Sequence, residues 1–472
     1  MPFTAIQDEE VLSHTQSICP VCFATLPARI VRPSGSDTVY IRRTCYEHGE
    51  FSGVIWRGAP DFEAWRRSKS PAKDVIRQTE TNAGCPHDCG RCPQHRQYAC
   101  TVLIEITERC NLSCPVCFAD AGNGSGAPFL PLEELAARLR WIKKNAGDVV
   151  LQISGGEPTL HPALPELVRL GSELFPAVQL NTNGILLAEK PKLCQKLVKS
   201  GLSWVFLQFD GTNEDIYRAL RGKPLLEKKL AAIANCEKAG LSVVLVPTIA
   251  RGVNDHDLGN LLRLALSLAP TVRGLHLQPM TGSGRNASGS EGLTLPETLM
   301  AICEQSEGLM RPEHATPPGC EHERCSFHCR YHLTPSGGLS HIRGESCCCS
   351  SPQAASASAS CCSPIQATTA QEETRRAIDT ILRSWQGKSE PETTPPASHT
   401  KGLDAFDAFI AKAKAQSFSV TCMAFQEAMN LDLERLQGCC VHIYSHPDRL
   451  IPFCARNLTS LNGTPLHPRQ WG

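Results

Sequence analysis

The sequence predicts an α/β protein built on a partial (β/α)6 barrel of the TIM type, flanked by two small cysteine-bearing domains. Three observations carry that expectation. Short β-branched runs alternate with longer amphipathic stretches from residue 101 to about 280. The apolar runs are nearly continuous, as they are in parallel strands buried on both faces. Finally, the 25 cysteines gather in tight clusters around a long middle segment that carries only Cys194, Cys236 and Cys303.

The strand-like runs are Thr101–Thr107, Val149–Ser154, Ala177–Thr182, Trp204–Asp210, Ser242–Ile249 and Arg273–Met280. Between them lie helix-like segments such as LPLEELAARLRWIKKNAG and PLLEKKLAAIANCEKAG, each closing near a glycine. Six such units form an open sheet or a partial barrel, and ligands gather at the C-terminal strand ends. The expected division is 1–70, 71–100, a barrel over 101–300, a cysteine-rich extension over 301–349, a linker over 350–402 and a final domain over 403–472. The linker is rich in Ser, Ala and Pro and reads as low-complexity, with one possible helix at QEETRRAIDTILRSW.

With 472 residues the chain is long enough for two or three domains. Lys and Arg total 47, matched by 47 Asp and Glu, which argues against a general nucleic-acid binder. No apolar run approaches the ~18–20 residues that span a bilayer. The first residues, MPFTAIQDEEVLSH, lack the basic start and apolar stretch of a signal peptide. A cytoplasmic location is expected, and there thiols stay reduced, so dense cysteine reads as metal binding.

The strongest site is CNLSCPVC, which places Cys110, Cys114 and Cys117 directly after the strand TVLIEIT. Three thiolates hold three irons of a [4Fe–4S] cluster and leave the fourth iron open to an outside ligand; four thiolates would close it. On spacing alone, a closed cluster or a zinc site with a distant fourth ligand is the alternative. The next strand, VVLQIS, ends in Gly155-Gly156-Glu157-Pro158 at the edge where a cofactor belongs. Together the cysteine loop and this GGEP turn resemble the radical S-adenosylmethionine (SAM) superfamily. The resemblance implies that SAM docks on the open iron and is split to a 5′-deoxyadenosyl radical, the cofactor carrying the hard chemistry. It implies that Gly155, Gly156 and Glu157 meet the methionine amino group, the glycines allowing close approach and the carboxylate suiting an ammonium. It also places Asn183 and Asp210 at strand edges near the cofactor's ribose and carboxylate. Polar capping of a strand–helix turn is the competing role for both.

A second copy of the spacing, Cys85, Cys89 and Cys92, has Cys100 eight residues on and leads to no GGEP turn. It reads as a closed auxiliary cluster, with a second open cluster as the rival reading. Upstream, Cys19 and Cys22 with Cys45 and His48 form two knuckles suited to a tetrahedral zinc or a single iron, as in rubredoxin. Beyond the barrel, Cys320, Cys325, Cys439 and Cys454 are the expected ligands of a third cluster, which would make the last domain cluster-binding. Cys347–Cys349 and Cys361–Cys362 fall in low-complexity sequence and are expected to be non-ligands.

The order TCYEHGEF, GCPHDCGRCPQHRQYAC, LIEITERCNLSCPVCFADAG and LERLQGCCVHIYSHPDRLIPFC resembles one branch of that superfamily, the tetraether lipid synthases and pterin radical methyltransferases. That branch implies hydrogen abstraction from an unreactive C–H bond, with C-methylation or C–C bond formation on a pterin or lipid-like substrate. It also implies methylene-tetrahydrofolate as a carbon source and a flavodoxin or ferredoxin as reductant. Residues 350–402 depart from the pattern and put the substrate in doubt. Two other readings stand beside this one: a peptide-modifying maturase with auxiliary clusters, and a non-enzymatic iron–sulfur electron carrier. No catalytic base is named. His276 and Gln278, at the end of the sixth strand, either face substrate or pack, whereas Pro279 and Met280 read as structural.

Overall fold

The computed structural model describes residues 8–67, 69, 72, 75–122, 128–286, 291–334, 338–342, 369–386 and 417–469. Cys347–Cys349 and Cys361–Cys362 lie outside the described residues.

The chain opens with an antiparallel four-stranded sheet, β1 (Glu9–Ile18), β2 (Thr25–Pro33), β3 (Thr38–Cys45) and β4 (Gly49–Arg57), paired in that order. Its two knuckles lie after β1 and at the β3–β4 turn, so hairpin geometry alone brings Cys19, Cys22, Cys45 and His48 together. The buried Arg43 fastens this sheet to the far end of the chain, donating to the carbonyls of Ala428 and Met429 at 2.7 Å each.

The barrel then alternates β5 (Thr101–Glu105), α1 (Leu132–Ala146), β6 (Val150–Ser154), α2 (Leu164–Leu174), β7 (Ala177–Thr182), α3 (Ile185–Glu189), α4 (Pro191–Lys199), β8 (Trp204–Gln208), α5 (Glu214–Arg221), α6 (Leu226–Ala239), β9 (Val243–Val246), a two-residue β10 (Thr248–Ile249), α7 (Leu258–Ser267) and β11 (Val272–Pro279). Local chemistry agrees with this pattern. Helix α1 carries Glu133 and Glu134 in its first turn and Lys143 and Lys144 in its last, complementing the helix dipole. Asn213 caps α5 by accepting from two backbone N–H groups. The six long strands pair in parallel in the order β5-β6-β7-β8-β9-β11, and all six expected runs are present. Their outward side chains, among them Val102, Leu151, Val178, Val205, Val243 and Leu275, enter the main core with the covering helices.

The remaining elements are α8 (Leu295–Gln305), β12 (Ser326–Leu333), β13 (Leu339–His341), α9 (Ala370–Trp385), β14 (Ser417–Met423), α10 (Leu433–Gln437), β15 (Val441–Ser445), β16 (Arg449–Pro452) and α11 (Phe453–Asn457). The segment expected to form a domain of its own from residue 403 does not stand apart. Strand β14 joins the barrel beside β11, and β15 joins beside β5, both in parallel. The result is one twelve-stranded sheet whose two edges both come from the C-terminal third of the chain. Edge strands in need of partners are thereby covered. Within the stretch expected as a linker, α9 packs Ile378 and Trp385 against Trp204, Phe206 and Val244 of the barrel. No helix among the described residues is long and apolar enough to cross a membrane.

Candidate active site

The C-terminal ends of β5, β6 and β7 build the site. The cysteine loop after β5 and the GGEP turn after β6 run side by side and exchange backbone bonds: Gly156 N–H donates to Thr107 O at 2.7 Å, and Glu157 N–H to Arg109 O at 2.8 Å. The glycine pair makes that approach possible. A Cβ on Gly155 would lie 2.4 Å from Thr107 O, and one on Gly156 would lie 2.4 Å from Arg109 O. Gly155 also has φ +135°, a backbone conformation that other residues rarely adopt. The glycines therefore dock the turn onto the cysteine loop.

Glu157 is likewise engaged with the protein. Its carboxylate is buried and accepts from Thr159 N–H, the Thr159 and Thr182 hydroxyls, and Asn183 N–H. Its charge locks the turn to β7. Asn183 donates to Asn111 in the cysteine loop at 2.7 Å and accepts from Ile185 N–H at 3.0 Å. This is loop clamping as well as turn capping. Asp210 is 1% exposed and receives two bonds from Arg221, at 2.7 and 2.6 Å. Its carboxylate is consumed by that fork, and the member of the pair that lines the cavity is Arg221. Burial works against the Arg221 charge, but Asp210 more than offsets this and holds the guanidinium firmly protonated. Sequence reading missed Arg221 because its partner is eleven residues away across a helix.

Arg285 was missed for a similar reason. It reaches from beyond β11 and donates to the carbonyls of Cys114 and Ala121 and to the Asp120 carboxylate. One guanidinium thus holds the far limb of the cysteine loop. Cys110, Cys114 and Cys117 all line the cavity. Burial, then the charges of Glu157 and the other two thiols, pushes Cys110 up to about 11. Burial also raises Cys114, against the pull of Arg221. Thiols crowded in this way favour a bound cation that removes their protons, which fits an iron–sulfur cluster.

At the N-terminal strand ends the cysteine grouping differs from the expected one. Cys100 was expected to join Cys85, Cys89 and Cys92. Instead its Sγ lies 3.0 Å from Cys440 Sγ, and Cys320 completes a compact buried trio. The cause is sheet register: Thr101 pairs with Val441, and Cys100 N–H donates to Cys440 O at 2.9 Å, so the preceding cysteines meet. Hydrogen bonds from Cys100 and Cys440 hold Cys320 well below the usual thiol range. Cys320 thereby leaves its expected partners. Cys325, Cys439 and Cys454 remain within electrostatic reach of one another, and Arg435 donates to Cys325 Sγ at 3.4 Å. Cys89 is raised by its bond to Cys85, by burial and by the charges of Cys85, Cys92 and Cys439. Cys439 therefore stands between the two groups.

In the N-terminal sheet, Cys19, Cys22, Cys45 and His48 place their ligand atoms within 4.8 Å of one another. His48 Nδ1 sits 3.5 Å from Cys45 Sγ and lowers that thiol to about 6. The set fits a tetrahedral metal.

One cavity of about 490 Å³ joins the cysteine loop to the trio end of the barrel. Gln152, Asn181, Gln208, His276, Gln278 and Thr421 point into it from the sheet. His276 and Gln278 thus face the cavity, while Met280 and Pro279 form part of its wall.

A loop of three thiols, a GGEP turn locked against it and a barrel cavity opening on both define a radical SAM enzyme. Residues 104–265 match the model of the radical SAM superfamily, and residues 11–57 match that of the HMPTM N-terminal zinc ribbon domain. The chain belongs to the radical SAM superfamily. It is 32% identical to the 7,8-dihydro-6-hydroxymethylpterin dimethyltransferase of Methanocaldococcus jannaschii, over 94% of this chain and 93% of that protein. A GTP 3′,8-cyclase of Listeria monocytogenes is 27% identical over 43% of this chain and 61% of its own length. Among solved structures, Streptococcus suis SuiB bound to precursor peptide SuiA overlays 44% of this chain and 46% of its own, with 18% identity and a TM-score of 0.38. The peptide-maturase and electron-carrier readings are not favoured by the full-length relative.

Proposed function

We propose that this enzyme methylates a reduced pterin at an unactivated carbon. What carries the reading is the extent of the likeness to the pterin dimethyltransferase, which spans the zinc ribbon, the barrel and the C-terminal cysteines together. When bound, the cluster and SAM would supply the radical chemistry needed to open an unactivated C–H bond. Cys110, Cys114 and Cys117 would hold the cluster, with Gly155–Glu157, Asn183 and Arg221 shaping the seat of SAM. In net terms one pterin C–H bond and both C–N bonds of the methylene bridge break, the pterin hydrogen ending in deoxyadenosine, while one C–C bond, one methyl C–H bond and two N–H bonds form with electrons from the reductant and protons from solvent. Methylene-tetrahydrofolate supplies the carbon, and a flavodoxin- or ferredoxin-type protein supplies electrons in the cytoplasm.

The chain's own residues have three tasks. Glu157, Asn183 and Arg285 hold the loops rigid, so that a reactive centre sits in a fixed place. Arg221, ion-paired with Asp210, also donates to Val116 O and so ties the cysteine loop to the strand ends behind it. The barrel walls surround the cavity with side chains such as Phe206, Val246 and Phe453, a setting that suits a reactive intermediate. The zinc ribbon and the remaining cysteine groups hold further metal; zinc in the ribbon and one or two auxiliary [4Fe–4S] clusters are the assignment we adopt.

The test is anaerobic incubation of the metal-loaded enzyme with SAM, a reductant, methylene-tetrahydrofolate and 6-hydroxymethyl-7,8-dihydropterin. Deoxyadenosine formation that depends on the pterin, with a pterin product heavier by one or two methyl groups, supports the reading. Cleavage of SAM indifferent to the pterin and without methylated product overturns it.

A further inference from the structure

Helix α9 lies in sequence of linker composition, yet it reaches the centre of the molecule. At its first turns Thr374 pairs with Cys320 Sγ of the thiol trio at 3.6 Å. At its last residue Trp385 enters the barrel, where its indole N–H donates to Ser419 Oγ at 2.9 Å. That bond fixes the plane of the ring. Phe206 and His276 lie beside it, with ring centroids 5.3 Å apart and planes 35° from each other. Trp385 stands across both, at 66° to Phe206 and 78° to His276. The three rings make a shelf and an upright wall. Each keeps 7% or 8% of its surface exposed, and all three line the cavity.

His276 adds direction to this corner. Its Nδ1 lies 2.8 Å from Thr421 Oγ1. Thr421 thus occupies Nδ1 and leaves Nε2 as the ring nitrogen that can meet a ligand. Sheet register sets this arrangement, since His276 pairs with Thr421 and Thr421 with His328 on the next strand. Burial, then His328, lowers His276 to about 3, so the ring stays neutral. A flat, nitrogen-rich bicycle matches such a corner: aromatic faces for its ring and a neutral imidazole nitrogen for its polar edge.

We propose that Phe206, His276 and Trp385 form the seat of the substrate's heterocyclic ring, with α9 as the specificity element that brings the wall. This rests on the pterin reading above and adds where the ring lies and which residues choose it. The tryptophan arrives from outside the barrel motif, which spans residues 104–265.

The test uses the full-length, metal-loaded enzyme, with equilibrium dialysis of 6-hydroxymethyl-7,8-dihydropterin in the presence of SAM. Trp385→Leu and Phe206→Leu keep an apolar filling but remove a ring, and each is expected to weaken pterin binding roughly tenfold. His276→Leu is expected to do likewise, with partial recovery in His276→Gln, while iron content and SAM binding stay at wild-type levels. Should Trp385→Leu disturb the adjacent trio and lose iron, Phe206→Leu and the two His276 variants decide. Unchanged pterin affinity in variants with full iron overturns the seat and leaves the pterin reading standing. A wild-type enzyme that binds no dihydropterin removes the pterin reading, and the seat falls with it.

Discussion

Replacing Gly156 with alanine adds one methyl group at the tightest joint in the site. That methyl would sit 2.4 Å from Arg109 O, 2.6 Å from Glu108 O and 2.8 Å from Arg109 C. All three are backbone atoms of the cysteine loop, so no side chain can swing aside. Ordinary contact begins near 3.4 Å, and 3.4 minus 2.4 requires a separation of about 1 Å between the GGEP turn and the loop. The same movement stretches the two backbone bonds that tie them, from Gly156 and Glu157. A displacement of this size at a reacting centre costs about a hundredfold in rate. Gly156→Ala should therefore retain the ribbon metal and most iron while forming deoxyadenosine about a hundredfold more slowly. The assay is chromatographic quantitation of deoxyadenosine under excess reductant, alongside iron analysis of the same sample. Wild-type rates in Gly156→Ala would refute the argument that the glycines dock the two loops.

Arg285→Ala removes the clamp on Cys114, Ala121 and Asp120 and should lower both iron retention and deoxyadenosine yield, with Arg285→Lys recovering little because one ammonium cannot reach three acceptors; full recovery in Arg285→Lys would contradict the fork. Cys320→Ala should remove metal held by the trio, and Cys85→Ala should remove a separate complement; double-variant losses that sum to the singles would confirm two sites. Cys45→Ser should release the ribbon metal with deoxyadenosine formation retained, as followed by metal analysis after gel filtration. The last concerns Lys229, which is fully buried and donates to Asn183 O at 2.5 Å and Gln208 Oε1 at 3.1 Å. Burial lowers it from 10.5 to about 8, so the unfolded chain binds the proton more tightly and stability rises with pH between those values. Denaturant titrations of Lys229→Met should lose that rise; an unchanged slope would contradict the assignment.

Much of this architecture is written locally. The six parallel strands follow from apolar runs, and the radical-generating loop from three cysteines and a GGEP turn, because each feature is contiguous in sequence. The four ribbon ligands are likewise readable, since two hairpin turns suffice to gather them. What escaped depends on long-range register. Cys100 looks like the neighbour of Cys92 in sequence, yet the pairing of β5 with β15, three hundred residues on, hands it to Cys440. Asp210 looked like a cofactor ligand because it ends a strand; only the fold shows Arg221 closing on it. Trp385 ends the helix that the sequence offers within the linker-like stretch, but its packing against Trp204, Phe206 and Val244 of the barrel is a long-range contact that no local pattern announces.

The account depends on Cys110, Cys114 and Cys117 generating the radical. The most direct measurement is deoxyadenosine formation by Cys114→Ala, reconstituted anaerobically beside the wild type and supplied with SAM and a strong reductant. The variant is expected to keep its ribbon metal and form no deoxyadenosine above background. Formation at the wild-type rate would contradict the central claim.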